Sequence, residues 1–391
     1  MERPFVRRNH CVLPDSVLRL STLMKPNLFS VSALSILSLT LVQFGFTGAS
    51  EQPLRLNDIQ VIGTHNSYHV TPQPEVLAFI ENLKPEWRDA LDYTHLPLDQ
   101  QLESQNVRQL ELDLFADPEG GLFAEPRVEK ILEARGIKIA THDSEGQLTK
   151  SGIKVLHHQD FDFRTNHLTF IDALTTVKKW SAKNQNHLPI FILLELKDRS
   201  LGLLATEPVP WDTDQLANLE QEIRSVFDVK SIITPDLVRG NSQTLREAIL
   251  NHGWPRLEEC RGKVLFALDN GDPVRKRYLS MRTDLKQALL FADVGENQPA
   301  TAFFKINDPV RNFKRIQRLV KAGFLVRTRA DADTREARNN NTDRRDKALA
   351  SGAQLVSTDF PAARSETSTY SVQLPDNATF RRNPVREQVK K

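Results

Sequence analysis

From about residue 55 the chain alternates short apolar runs with longer stretches of helical period. The runs are DIQVIGTH (58–65), VRQLELDLF (107–115), GIKVLHH (152–158), PIFILLELK (189–197), KVLFALD (263–269), AFFKIND (302–308), GFLVRTR (323–329) and AQLVSTDF (353–360). Between them 169–184 and 213–227 predict amphipathic helices. So does 310–323, with Ile316, Leu319 and Val320 on one face and Gly323 at its C-terminal cap. Strand, helix, strand, repeated about eight times, predicts a parallel sheet with crossover helices. Over roughly 300 residues it suits a single-domain α/β fold, a closed (β/α)8 TIM-like barrel with loop insertions, better than a doubly wound sheet. The insertions fall at 71–100, 116–151 (with a small hairpin over GIKIATHDSEGQLTK), 198–212 and 270–300. The polar stretch 364–391 lacks periodicity and reads as a weakly ordered tail. Its sequon at Asn377 is a pattern alone.

The chain has 391 residues, a formal net charge of +2 and 39% hydrophobic residues, which is ordinary globular composition. No long basic block precedes the short tail, so nothing points to nucleic acid. Two cysteines, Cys11 and Cys260, exclude a disulfide framework and a cysteine-based zinc site. Met24-Lys25 is followed by an uncharged stretch that lasts until Glu51. It reads as a signal peptide over 24–49, cleaved near Ala49, with 1–23 an over-called start. The expected product is secreted or periplasmic, with no transmembrane span in its mature form.

In such a barrel the chemistry sits where strands end. The first run ends in His65-Asn66. The second carries Glu111 and Asp113, which period-two geometry puts on one face. The third ends in His157-His158. The fourth holds Glu195 after four large apolar residues, where a carboxylate needs a cation, with Lys197 on the same face. Each has a plain structural reading as a hydrogen-bonded histidine or a salt bridge; together they predict one rim. Asn66, Glu111, Asp113 and Glu195 are oxygen donors, which favours Ca2+ over zinc, with Mg2+ the weaker candidate. That leaves His65 and His157 for acid–base work on a phosphodiester. Lys197, Arg327 and Arg329 are candidates to hold phosphate or inositol oxygens. Asp359 is a candidate substrate-site residue that orients His65. His69, His142 and His167 read as surface or loop positions. Asp331-Ala-Asp333 is no EF-hand, because its twelfth position is Thr342.

GTHNSY, the ELD strand, VLHHQDFDF before TFIDAL and KKWSAKN, LPIFILLELKD and the 326–361 segment occur in this order. Together they resemble the calcium-dependent phosphatidylinositol-specific phospholipase C family of bacteria, over about 57–363. The resemblance implies His65 and His157 as catalytic histidines and Asn66, Glu111, Asp113 and Glu195 as calcium ligands. It implies attack of the inositol 2-hydroxyl on phosphorus, giving a cyclic diester that water then opens, in a phospholipid at a membrane surface. It leaves the base open between His65 and a carboxylate such as Glu111. The family favours His157 over His158 as the acid. Docking would fall to rim residues near Phe79 or Trp87. One alternative is a glycerophosphodiester phosphodiesterase, whose His-Arg-Gly start is replaced here by His-Asn-Ser. Another is a non-catalytic secreted barrel that binds inositol phosphates or a surface polymer. Oligomeric state leaves no sequence signal.

Overall fold

The computed structural model describes residues 53–389 apart from 201, 203, 204 and 365; the leader and Cys11 lie outside them. Among the described residues ten strands occur in chain order: β1 (Ile59–Thr64), β2 (Gln109–Phe115), β3 (Lys154–Val155), β4 (Ile190–Leu196) and β5 (Val264–Leu268). They continue with β6 (Leu290–Ala292), β7 (Phe303–Lys305), β8 (Leu325–Arg329), β9 (Leu355–Thr358) and β10 (Arg381–Arg382). Eight form one parallel array in the order β6-β5-β4-β2-β1-β9-β8-β7. It is a nearly closed (β/α)8 barrel whose ends, β6 and β7, face each other. The amide of Lys305 on β7 reaches Asp293 just beyond β6, at 3.1 Å.

One predicted stave needs correction, and one stave was not predicted. GIKVLHH is not a stave: β3 is two residues long and pairs antiparallel with the end of β2, Leu114 to Val155 and Phe115 to Lys154. The missing stave is β6, inside the stretch 270–300 read as loop. The expected hairpin at 136–150 contains no strand and ends in the 3-10 turn Gln147–Thr149.

The predicted helices fall at Phe170–Lys183, Thr213–Val226 and Phe313–Lys321. Thr169 and Asp212 cap the first two by accepting the amides of Asp172 and Gln215. Along β2, Leu110, Leu112 and Leu114 join one apolar core with Phe170, Leu174 and Val177 of the first helix. Their alternates Gln109, Glu111 and Asp113 therefore face the barrel interior. Gly63 allows this packing, because a Cβ there would fall 2.1 Å from the Gln109 side-chain oxygen. The segment after 365 also departs from the expected weakly ordered tail. It buries Tyr370, Val372, Leu374 and Val385, and β10 pairs with Ile59 and Gln60 at the start of β1.

Candidate active site

The first strand ends as its sequence predicts. His65 follows β1, and Asn66 takes a positive φ of 44°, which asparagine tolerates better than most residues. The chain turns there, and the amide of His69 donates to the Asn66 carbonyl at 2.9 Å. His65 Nδ1 lies 2.8 Å from Asp359 Oδ1 at the end of the neighbouring β9. Its Nε2 lies 3.2 Å from Arg329 Nη1 and 3.8 Å from Glu111 Oε1. A carboxylate on one side and a guanidinium on the other assign the tautomer: Nδ1 carries the proton and Nε2 a lone pair. Burial and Arg329 push His65 down to about 3 against the pull of Asp359, so it is neutral at pH 7.

Register builds the acidic centre. Asp113 and Glu195 are direct partners across the β2–β4 ladder, and Glu111 pairs with Leu193 two residues earlier. Glu111, Asp113 and Glu195 each offer an oxygen within 4.8 Å of the others. Lys197 Nζ lies 2.9 Å from Asp113 Oδ2 and 3.0 Å from Glu195 Oε1. Arg327 is buried and binds Glu111 Oε2 and Asn307 Oδ1. Those two cations do not settle the cluster's charge. Burial lifts Glu111 to about 8 despite Arg327, and Asp269, Asp113 and Glu195 add to the rise. Burial and Glu195 also raise Asp113 despite Lys197. Asn66 gives its Nδ2 to the Tyr93 hydroxyl at 3.2 Å, while its buried Oδ1 accepts no hydrogen bond among the described residues. Three clustered carboxylates and an unpartnered amide oxygen are hard donors that fit a calcium-sized cation.

His157 arrives on the β3 loop. Its Nδ1 lies 2.6 Å from Asp162 Oδ2. With His158, Glu195, Lys197, Asp269 and Lys305 it lines a cavity of about 350 Å³. Among the described residues His158 makes no comparable side-chain bond; its ring stacks on Trp87 with centroids 6.4 Å apart. His65 is not on that cavity wall and joins the site through Glu111. Trp87 and Leu83 are exposed on the first-loop helices, Pro85–Ala90 and Pro74–Leu83. Phe79 instead stacks on Phe161.

Several residues differ from the expectation. Arg327, expected at the substrate, is 1% exposed and bound to Glu111 and Asn307. Asp359 keeps the contact to His65 that the sequence reading gave it, and it also pairs with Arg329, whose Nη2 lies 3.2 Å from Oδ2. His69 and His167 are buried, not on the surface, and His142 pairs with Glu129 at 3.0 Å. Asp162, Tyr93, Asp269 and Lys305 were missed. Asp269 and Lys305, 2.6 Å apart, follow apolar runs as Glu195 does, so the same rule finds them. Asp162 follows no apolar run; it meets His157 five residues before it and His69 93 residues before it.

Among solved structures, the chain is similar to a calcium-dependent phosphoinositol-specific phospholipase C from a Pseudomonas species, in a myoinositol complex. Identity is 16%, coverage 84% of this chain and 96% of that one, and the TM-score 0.50, which supports the barrel fold. A calcium-dependent phosphatidylinositol-specific phospholipase C from Streptomyces antibioticus aligns at 15% identity over 79% and 95%, with a TM-score of 0.48. A comparison with curated proteins found no match. The sequence profile described as phosphoinositide phospholipase C, Ca2+-dependent, matches residues 54–384. The chain thus belongs to the calcium-dependent phosphoinositide phospholipase C family of phosphodiesterases.

Proposed function

We propose that this protein cleaves the glycerophospho bond of phosphatidylinositol-type lipids through attack of the inositol 2-hydroxyl. The observation that carries the reading is the gathering of Glu111, Asp113 and Glu195 between two imidazoles. His65 contacts Glu111, and His157 shares a cavity wall with Glu195. Asn66, Glu111, Asp113 and Glu195 are the residues that would hold Ca2+, which when bound would supply positive charge to the phosphoryl oxygens and lower the pKa of the attacking hydroxyl. The hydroxyl proton passes to the His65–Glu111 pair, whose Nε2 and Oε1 are 3.8 Å apart. His157 gives a proton to the departing diacylglycerol oxygen. Asp162 favours His157 over His158 for that step. Lys197 stands at the cavity wall to meet headgroup or phosphoryl oxygens. Arg327 holds Glu111, and Asp359 holds His65. Trp87 and Leu83 contact the membrane surface.

No helix among the described residues is long and apolar enough to cross a membrane. The N-terminal leader read from the sequence supports action as a secreted or periplasmic protein. The test is release of water-soluble inositol phosphate from phosphatidylinositol vesicles. Wild type should release it with calcium and lose activity in chelator. His65→Ala and His157→Ala should each lose at least about 100-fold. Equal turnover with and without calcium, or by His65→Ala, would overturn the reading. Preference for glycerophosphodiesters that lack an inositol would favour a glycerophosphodiesterase.

A further inference from the structure

His69 plays no part in the reading above, yet it is fully buried beside the rim. Both its ring nitrogens face acceptors. Nδ1 lies 3.0 Å from the Tyr93 carbonyl oxygen. Nε2 lies 3.0 and 2.9 Å from the two oxygens of Asp162. A carbonyl and a carboxylate leave neither nitrogen a donor to accept from, so both carry protons. The Tyr93 ring stacks on the imidazole at 4.2 Å between centroids. Asp162, also without exposure, has its two oxygens fixed by this one donor. The same Oδ2 then meets His157 Nδ1 at 2.6 Å.

We infer that His69 and Asp162 are positioning residues for His157, which set its tautomer and turn its Nε2 to the cavity. The inference rests on His157 being the acid. With Nδ1–H bound to Asp162, the proton that His157 gives up can only be the one on Nε2. Before the step His157 is an imidazolium whose charge Asp162 balances. As the leaving oxygen takes the Nε2 proton and its bond to phosphorus breaks, His157 becomes the neutral Nδ1–H tautomer. His69 keeps Asp162 ionised and in plane, because water cannot reach either group to replace it. Sequence position hides this role: His69 lies three residues after Asn66, on the same turn that delivers the cation ligand.

The test uses the full chain and two substrates that differ in leaving group. From phosphatidylinositol the diacylglycerol leaves as an alkoxide that needs an acid, and from p-nitrophenyl inositol phosphate the nitrophenol leaves as a phenolate that hardly does. On the lipid, Asp162→Asn should lose about 100-fold and His69→Gln about tenfold, in kcat with KM little changed. Both should be largely spared on the nitrophenyl ester. The double variant should be no worse than Asp162→Asn, since His69 acts through that carboxylate. Equal losses on both substrates, or none on the lipid, would overturn the inference. If His157→Ala itself is not spared on the activated ester, the acid assignment has failed instead. Should the buried variants, His69→Asn included, not fold, nitrogen-15 spectra of histidine-labelled wild type decide. Two protonated ring nitrogens on His69 and an Nδ1–H neutral form of His157 support the inference; an Nε2–H form overturns it.

Discussion

At the scale of single residues, Lys197 has the most to reveal about the acidic centre. Its ammonium bridges Asp113 and Glu195, two of the four groups assigned to the cation. Nζ occupies one oxygen of each carboxylate and competes with a divalent ion for them. A charge-assisted hydrogen bond contributes about 1.5–3 kcal/mol, and a nearby ammonium also repels the ion. Both effects oppose binding, so Lys197→Met should bind calcium about tenfold or more tightly, measured by calorimetry on the purified protein. Weaker binding by Lys197→Met would mean that the ammonium helps to shape the ligand cage. The sequence showed that Glu195 and Lys197 share a face, because the period of a strand dictates it. Which carboxylate Lys197 would choose was not readable. Asp113 comes from a strand 84 positions before Lys197 and meets it only through the β2–β4 register.

At the scale of elements, His157 reached the expected rim by an unexpected route. The run GIKVLHH has the apolar character of a stave, and the three residues of β6 have too few positions to show any period. Length alone does not separate a stave from a two-residue strand laid antiparallel on the end of β2. Because β3 pairs with Leu114 and Phe115, it leaves His157 beside the end of β2, close to where a stave would have put it. The helix Thr213–Val226 pins this segment. Glu222 Oε1 accepts the Ile153 amide at 2.9 Å, and its buried Oε2 makes no hydrogen bond among the described residues. Burial raises this carboxyl to about 6, against the Ile153 amide and Lys154. The unfolded chain, with the ordinary value of 4.5, releases a proton that the folded chain keeps. Stability from this group is therefore present below 4.5 and lost as pH rises toward 6. Glu222→Gln stays neutral and keeps an acceptor for Ile153. It should match wild type near pH 4 and exceed it by about 1 kcal/mol at pH 7, checked by urea unfolding at both values. A variant less stable than wild type at pH 7 would show that the ionised carboxylate stabilises the fold.

At the scale of the whole molecule, the last segment touches both faces of the barrel, which its polar composition did not announce. Its few apolar residues are too widely spaced to show a period, so their burial was visible only once the barrel walls were in place. At the start of β1, Asn383 donates to the Gly352 carbonyl, and Arg386 lies 3.2 Å from buried Asp58. At the other end, the Tyr370 hydroxyl lies 3.2 Å from Asp331 Oδ2. Asp331 Oδ1 accepts the amide of Asp359, the residue that orients His65. Stability and chemistry sit on opposite faces of such a barrel, so two truncations should separate them. Ending the chain after 378 removes β10, Val385 and Arg386. Losing one buried side chain and one buried ion-pair partner costs about 3–5 kcal/mol, or roughly 10 °C in melting temperature, with lipid turnover at 20 °C little changed. Ending it after 365 also removes Tyr370, Val372 and Leu374. Asp331 then loses its phenolic donor, the Asp359 loop loosens, and kcat should fall several-fold further than any loss in the shorter truncation. Melting curves and lipid assays on both proteins check this. Equal kcat in the two would mean that the 366–378 segment supports the fold alone, and that His65 is held by Asp359 and Arg329 without it.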